Sequence, residues 1–201
     1  QYGYQFPARE IRVAPNGADL ERYRDLPSAE AARYELGLPE GLTAVYTGHF
    51  YAGRGIGLLF ELARRMPEVN FVWVGGRKED VRQWQEKTLS LKLDNVIFTG
   101  FIPNESIPAY QAAADILLMP YEQVVTTSSG GNTAQVCSPM KMFEYMASNR
   151  VILSSDLPVL REILDETMAA FCPPGKVDAW EKALNDLLQD KQQAACLASR
   201  A

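Results

Sequence analysis

The chain has 201 residues, of which 47% are hydrophobic and 22% are charged, a composition typical of a globular domain. Its formal net charge of −5 disfavours a broad surface for nucleic acid or for an anionic membrane. No apolar run reaches the ~18 residues that a membrane-spanning helix needs. The three cysteines, at positions 137, 172 and 196, favour reduced thiols in a cytosolic protein over a disulfide framework or a zinc site.

Short apolar runs alternate with helical patterns along most of the chain. We expect strands at 10–14, 42–47, 70–74, 95–99, 115–119, 151–154 and 169–172. We expect helices at 28–36, 54–66, 78–91, 103–113, 139–147, 157–164 and 177–190. Because the strands are continuous apolar runs separated by helices, the pattern predicts a doubly wound α/β domain with a parallel, Rossmann-like sheet.

The helix predicted from position 139 begins with an unusual charge. Ser138 is a good N-cap and Pro139 suits the first helical position. Lys141 then lies in the first turn, where the positive end of the helix dipole makes a cation unfavourable by ~0.3–1 kcal/mol. A bound phosphate would offset that repulsion. Glu144 follows on the same face, where its carboxylate could accept a hydrogen bond from a sugar hydroxyl.

A second strand-to-helix junction has the same feature. The glycine-rich segment 48–57 contains His49 and places Arg54 at the start of the next predicted helix. Glycines allow a backbone to approach a ligand closely. Since ligands of doubly wound folds bind beyond the carboxyl ends of the strands, we expect both junctions to converge on one hollow the size of a pyrophosphate.

Between the strand at 115–119 and the helix from 139 the periodic pattern stops. Residues 122–136 are rich in Ser, Thr and Gly, and loops of this length within a compact domain are usually functional or disordered. Cys137 borders this loop, and we interpret it as a small half-buried residue. The chain begins at Gln1 within an ordinary strand pattern, so we expect it to be a fragment of a longer polypeptide.

Other ligand classes fit the sequence poorly. A dinucleotide fingerprint would need its third glycine at position 58, which is Leu58. A P-loop and a Gly-x-Ser-x-Gly motif are both absent. One histidine and scattered cysteines do not form a usual metal cluster, so we expect neither a metal nor a cofactor.

Several segments together resemble the donor-binding half of retaining GT-B glycosyltransferases (glycosyl transferases group 1). They occur in the order of that family and cover nearly the whole chain: Pro15–Asp19, Tyr46–Phe50, Arg54-Gly55, Val74–Gly76, Val96–Pro103, Ala114–Tyr121, Lys141–Ala147 and Ser154–Pro158. The resemblance implies one nucleotide-sugar-binding domain over 1–201, without the amino-terminal acceptor-binding domain.

The resemblance also assigns roles to single residues. It implies that His49, Arg54 and Lys141 hold the diphosphate of a nucleotide sugar and act in catalysis. Glu144 matches the second Glu of an E-x7-E motif, which binds ribose hydroxyls. The remaining donor-binding positions are Gly48, the base-contacting Phe101 and Ile102, and Met140 at the start of the helix.

This sequence departs from the family pattern at two positions. The first Glu of the E-x7-E motif falls at Val136, and Glu122, Asn132 or Gln135 could take its place in recognising the sugar. His49 stands where arginine is commoner, which weakens the positive charge at neutral pH.

The function implied is metal-independent transfer of a hexosyl group from a UDP- or GDP-sugar to an unknown acceptor, with retention at the anomeric carbon. Two alternatives remain open, namely a binding module without catalysis and a nucleotide-sugar epimerase of the same architecture. We expect the isolated fragment to be inactive. We also expect a cytoplasmic protein, peripheral at the inner face of the membrane if the missing half carries an anchor.

Overall fold

A computed structural model describes residues 16–124 and 139–201. The strand expected at 10–14, Cys137, Ser138 and most of the long loop, including Asn132, Gln135 and Val136, lie outside the described residues. Everything that follows concerns the described ranges.

Six strands and eight α-helices alternate along these ranges. The strands are β1 (Thr43–Gly48), β2 (Asn70–Gly75), β3 (Val96–Gly100), β4 (Ile116–Met119), β5 (Val151–Ser155) and β6 (Ala169–Cys172). The helices are α1 (Ala29–Leu36), α2 (Ile56–Arg65), α3 (Lys78–Ser90), α4 (Ile107–Ala112), α5 (Met140–Ala147), α6 (Pro158–Arg161), α7 (Val177–Gln189) and α8 (Lys191–Ala198). Two 3₁₀ turns, Leu20–Tyr23 and Asn104–Ser106, precede α1 and α4.

All six strands are parallel and lie in the order β3-β2-β1-β4-β5-β6. This is the order of the doubly wound, dinucleotide-binding type of sheet, in which the direction of winding reverses between β1 and β4. The predicted fold class is therefore confirmed.

Helices cover both faces of the sheet, and the strand residues alternate between two hydrophobic clusters. Tyr46 of β1 packs in the cluster that contains Leu59 of α2 and Trp180 of α7. Val45, its neighbour in the strand, packs in the cluster that contains Met142 of α5. Burial on both faces explains why the strands are continuous apolar runs.

The structure corrects several predicted boundaries. Helix α5 begins at Met140 with Pro139 as its N-cap, so Pro139 is not the first helical residue. Helix α2 begins at Ile56, with Gly55 as N-cap in the left-handed region, so Arg54 precedes the helix. The helix expected at 103–113 is a 3₁₀ turn followed by the short α4. The helix expected at 157–164 is shorter and consists of α6 alone. A further helix, α8, follows where the last helix was expected to end.

Candidate functional site

The sheet opens at the point where β1 and β4 lie side by side. Their pairing covers only Ala44 with Ile116 and Val45 with Leu117, whereas β1 pairs with β2 along its whole length as far as Gly48. Ligands of open α/β sheets bind in the crevice outside the carboxyl ends of the strands at such a reversal of winding.

Helix α5 is attached to β1 beside this opening. The backbone N–H of Thr47 donates to the hydroxyl of Tyr145 at 2.9 Å, and that hydroxyl lies 3.3 Å from the carbonyl oxygen of Leu118 on β4. One turn earlier, Nζ of Lys141 donates to the carbonyl oxygen of Thr47 at 3.2 Å. Burial raises the pKa of Tyr145, so its hydroxyl remains a donor. These contacts fix the start of α5 at the carboxyl edge of the sheet.

Gly48 ends β1 next to this lysine. It has a φ of +139°, and a Cβ at this position would lie 3.6 Å from Nζ of Lys141. The positive φ favours glycine here, and the end of the strand lies within van der Waals range of the ammonium group.

Arg54 is positioned by the glycine that follows it. Gly55 has a φ of +74°, and a Cβ there would lie 1.8 Å from the carbonyl oxygen of Pro120. The loop after β1 thus packs directly against the chain leaving β4. As a result, the guanidinium carbon of Arg54 lies 5.0 Å from the ring centroid of Tyr121 and 5.2 Å from that of Tyr51.

Lys141 approaches the same tyrosine. Its Nζ lies 4.7 Å from the ring centroid of Tyr121 and 4.0 Å from that of Tyr46, distances typical of cation–π contacts. Since both cations contact the Tyr121 ring, Arg54 and Lys141 cannot be more than about 10 Å apart. The structure thus brings together the two cations that the sequence suggested would converge.

His49 and a further arginine complete a group of basic side chains. The His49 ring stacks on Tyr51 with centroids 5.0 Å apart and planes inclined by 22°, and the guanidinium of Arg77 lies 5.9 Å from the same tyrosine centroid. Partial burial lowers the pKa of His49, and the charges of Arg54, Arg77 and Lys141 lower it further. We call His49, Arg54, Arg77 and Lys141 the cation cluster.

Two arginines of this cluster rest on aromatic rings rather than on carboxylates. Elsewhere, buried Arg33 pairs with Asp115 at 3.1 Å, and Arg65 pairs with two carboxylates. Within residues 16–124 and 139–201, Arg54 and Arg77 form no such ion pair, and Nε of Arg54 is buried without a hydrogen-bond partner. A tyrosine ring orients a guanidinium without cancelling its charge, so the cluster is suited to an anionic ligand.

The structure also describes the other predicted donor-binding residues. Met140, at the first position of α5, is 57% exposed. Phe101 follows β3, which is two strands away from the opening, and is 83% exposed. Ile102 is half-buried against the cluster of Val45 and Met142. Glu122, the one described candidate to replace the missing glutamate, lines a cavity of about 370 Å³ beside Gly55.

Glu144 and Lys141 diverge, although they are three residues apart on α5. Lys141 reaches Thr47 on β1, whereas Oε2 of Glu144 lies 3.5 Å from Nε2 of Gln111 on α4. Glu144 is half-buried, and its carboxylate lies towards α4 whereas the ammonium group of Lys141 lies towards β1.

The predictions from the sequence did not include Arg77, Gln111 or the contacts between tyrosine rings and the cations. Arg77 follows a Gly-Gly turn without any motif, and the tyrosines are scattered along the chain. Only the topology brings them together. Cys172 is buried, which raises the pKa of its thiol to about 11, so it is unreactive.

The described residues provide neither a metal cluster nor a membrane-spanning helix. They hold no group of three or more His, Cys, Asp or Glu side chains that could bind a metal ion. None of the described helices is long and apolar enough to cross a membrane.

The chain is similar to known glycosyltransferases in sequence. It is 32% identical over 151 residues to a teichuronic acid biosynthesis glycosyltransferase of Bacillus subtilis, covering 74% of this chain and 35% of the relative. It is 26% identical over 197 residues to a GDP-mannose-dependent phosphatidylinositol monomannoside mannosyltransferase of Mycolicibacterium smegmatis, covering 95% and 50%. The chain thus spans about a third to a half of the length of these relatives.

Solved structures share the fold. HepE of Anabaena, in complex with UDP, superposes with a TM-score of 0.76 at 20% identity, covering 96% of this chain and 52% of that one. The C-terminal domain of a glycosyl transferase group 1 protein of Francisella tularensis superposes with a TM-score of 0.72 at 19% identity, covering 90% and 93%. A family model described as glycosyl transferases group 1 matches residues 41–190. The chain therefore belongs to the glycosyl transferases group 1 family.

Proposed function

We propose that residues 1–201 form the donor-binding domain of a retaining glycosyltransferase. The domain would bind a UDP- or GDP-sugar, and a separate acceptor-binding domain would complete the enzyme. The observation that carries the proposal is the convergence of Arg54 and Lys141 on the Tyr121 ring at the opening between β1 and β4. The relatives named for GDP-mannose and the fold shared with a UDP complex support it.

In this proposal the cation cluster binds the diphosphate. The first N–H groups of an α-helix point beyond its start, and Met140 and Lys141 occupy these positions in α5. Arg54, Arg77 and Lys141 add charge around them, and an anion would favour protonation of His49. Glu144 would accept from the ribose hydroxyls, and the backbone after β3, at Phe101 and Ile102, would contact the base.

The same groups would act in catalysis. As the bond between the anomeric carbon and the diphosphate oxygen breaks, the electron pair passes to that oxygen and negative charge develops on the leaving group. Side chains and a helix end fixed in advance stabilise this charge, and removing one such group typically costs ~3–4 kcal/mol of transition-state stabilisation. For retention, the acceptor hydroxyl attacks on the same face, and its proton passes to the departing phosphate.

The cellular location of the protein is part of the same proposal. We infer a cytoplasmic protein that contacts the inner face of the membrane when the acceptor is a lipid. The relative named for phosphatidylinositol monomannoside supports such an acceptor.

Calorimetric titration of this chain with UDP, GDP and the matching monophosphates tests the site. Arg54→Ala should weaken diphosphate binding by about 10- to 150-fold, because a charge-assisted hydrogen bond contributes roughly 1.5–3 kcal/mol. The loss should be much smaller for the monophosphate. Arg64→Ala is the control, since Arg64 is exposed on α2 and pairs with half-buried Glu61. Unchanged diphosphate affinity in a folded Arg54→Ala protein would remove the phosphate role.

Turnover distinguishes transfer from the two alternatives. A protein that joins this domain to the proposed acceptor-binding domain should consume the nucleotide sugar only when an acceptor is present. Release of free nucleoside diphosphate without an acceptor would favour an epimerase, and binding without turnover of any donor would favour a binding module.

A further inference from the structure

A buried polar pair lies behind Glu144. Gln111 on α4 is fully buried, and Tyr23, from the 3₁₀ turn before α1, is 7% exposed. Nε2 of Gln111 donates to the carboxylate of Glu144, at 3.5 Å from Oε2. Burial raises the pKa of Tyr23, and the charge of Glu144 raises it further.

Both side chains carry a polar atom that the described fold leaves unsatisfied. Oε1 of Gln111 and the hydroxyl of Tyr23 are buried without a hydrogen-bond partner among the described residues. Such atoms reduce stability, and an apolar side chain of the same shape would avoid that loss. Met at position 111 and Phe at position 23 would fill the same space. Packing alone therefore does not explain the two polar side chains.

We propose that Gln111 is a positioning residue for Glu144, assisted by Tyr23. The amide holds Oε2 of the carboxylate from inside the protein, which turns Oε1 towards the vicinal hydroxyls of a ribose. This inference rests on the proposed function, because it needs a nucleotide whose ribose reaches Glu144. Hydrogen bonds from hydroxyls to a carboxylate are strong when their geometry is fixed. The pair would thus determine how well the site distinguishes ribose from deoxyribose.

The test compares UDP with 2′-deoxy-UDP, or the guanosine pair if the wild-type chain binds GDP more tightly. The ratio of the two dissociation constants measures recognition of the hydroxyl. Gln111→Met keeps the length of the side chain and removes both polar atoms. We expect it to reduce the wild-type ratio about 5- to 10-fold, and to change the affinity for the deoxynucleotide by less than about twofold. Glu144→Ala should bring the ratio close to one.

Stability provides a readout that separates positioning from packing. Gln111→Met should unfold at the same urea concentration as the wild type or at a higher one, because an unsatisfied buried atom is removed. Tyr23→Phe removes one hydroxyl. It should likewise unfold at the same urea concentration or a higher one, and should lower the ratio of the two dissociation constants by a smaller factor than Gln111→Met. It also keeps the proposal testable if Gln111→Met does not fold.

The outcomes distinguish this inference from the function on which it rests. If the wild-type chain binds neither nucleoside diphosphate, the proposed function fails. If it binds one with a ratio that depends on Glu144, while Gln111→Met and Tyr23→Phe keep the full ratio, only the positioning role is overturned.

Discussion

Gly55 offers a direct test of how the loop after β1 places Arg54. Its φ of +74° is a conformation that L side chains rarely adopt, and an alanine Cβ would lie 1.8 Å from the carbonyl oxygen of Pro120. Real Cβ contacts essentially never fall below 3.0 Å, so the loop must move by more than 1 Å. The left-handed backbone costs about 1–2 kcal/mol and forced overpacking about 1–3 kcal/mol. Gly55→Ala should therefore reduce the free energy of unfolding by roughly 2–5 kcal/mol.

A matched control lies two residues further along the chain. Gly57 is exposed in the first turn of α2, and a Cβ there would meet no atom within 4 Å. Gly57→Ala should stabilise the protein by up to about 1 kcal/mol, because alanine has the higher helix propensity. Urea unfolding measures both changes, and calorimetry should show weaker nucleotide binding for Gly55→Ala alone. A Gly55→Ala protein as stable as Gly57→Ala would refute the close approach.

Three further substitutions test the surroundings of the site. Tyr145→Phe leaves the N–H of Thr47 without its acceptor and should lower the free energy of unfolding by about 1–3 kcal/mol. As a control, Tyr34→Phe changes a residue that is 88% exposed and should alter the free energy of unfolding little. Asp115→Ala removes the ion pair of buried Arg33, whose remaining partners are exposed Glu30 and the carbonyl oxygen of Ala113. It should cost about 1–3 kcal/mol, measured in the same way. The pKa of His49 is held below its usual 6.5, so the unfolded chain binds the extra proton more readily. The wild type should therefore lose more stability than His49→Gln as the pH falls from about 7 to about 5. Equal losses would contradict the partial burial of His49 beside the cations.

Local chemistry explains why much of the fold could be predicted. Ser28 caps α1 by accepting from the N–H of Ala31, and Gly37 ends that helix in the left-handed region. Both were recognisable as start and stop signals. Strands such as β2 were predictable because a run of buried apolar residues between turn residues has few alternatives.

The remaining helix boundaries depend on capping and tertiary contacts, which hydrophobic periodicity does not reveal. Helix α8 begins directly after α7 because the side chain of Asp190 accepts from the N–H of Gln193. That capping signal was present in the sequence, although the predicted helix was ended there. Helix α2 could not begin at Arg54, because the close contact of Gly55 with Pro120 depends on a strand about 60 residues away.

The site shows most clearly what depends on the order of the strands. Periodicity indicates a parallel sheet but does not say that β1 lies beside β4. That adjacency places Tyr121 between the loop of Arg54 and the helix of Lys141. Arg77 joins them because β2 is the other neighbour of β1.

The means of holding these cations also explains how a protein of net charge −5 keeps a positive site. Arg33 and Arg65 are fixed by carboxylates, which cancel their charge. Arg54 and Arg77 are fixed by the rings of Tyr51 and Tyr121, whose faces attract a cation but carry no net charge. The tyrosine rings thus orient the two guanidinium groups without neutralising their charge. Burial lowers the pKa of His49, and the uncancelled charges of Arg54, Arg77 and Lys141 lower it further. A diphosphate would meet these same charges.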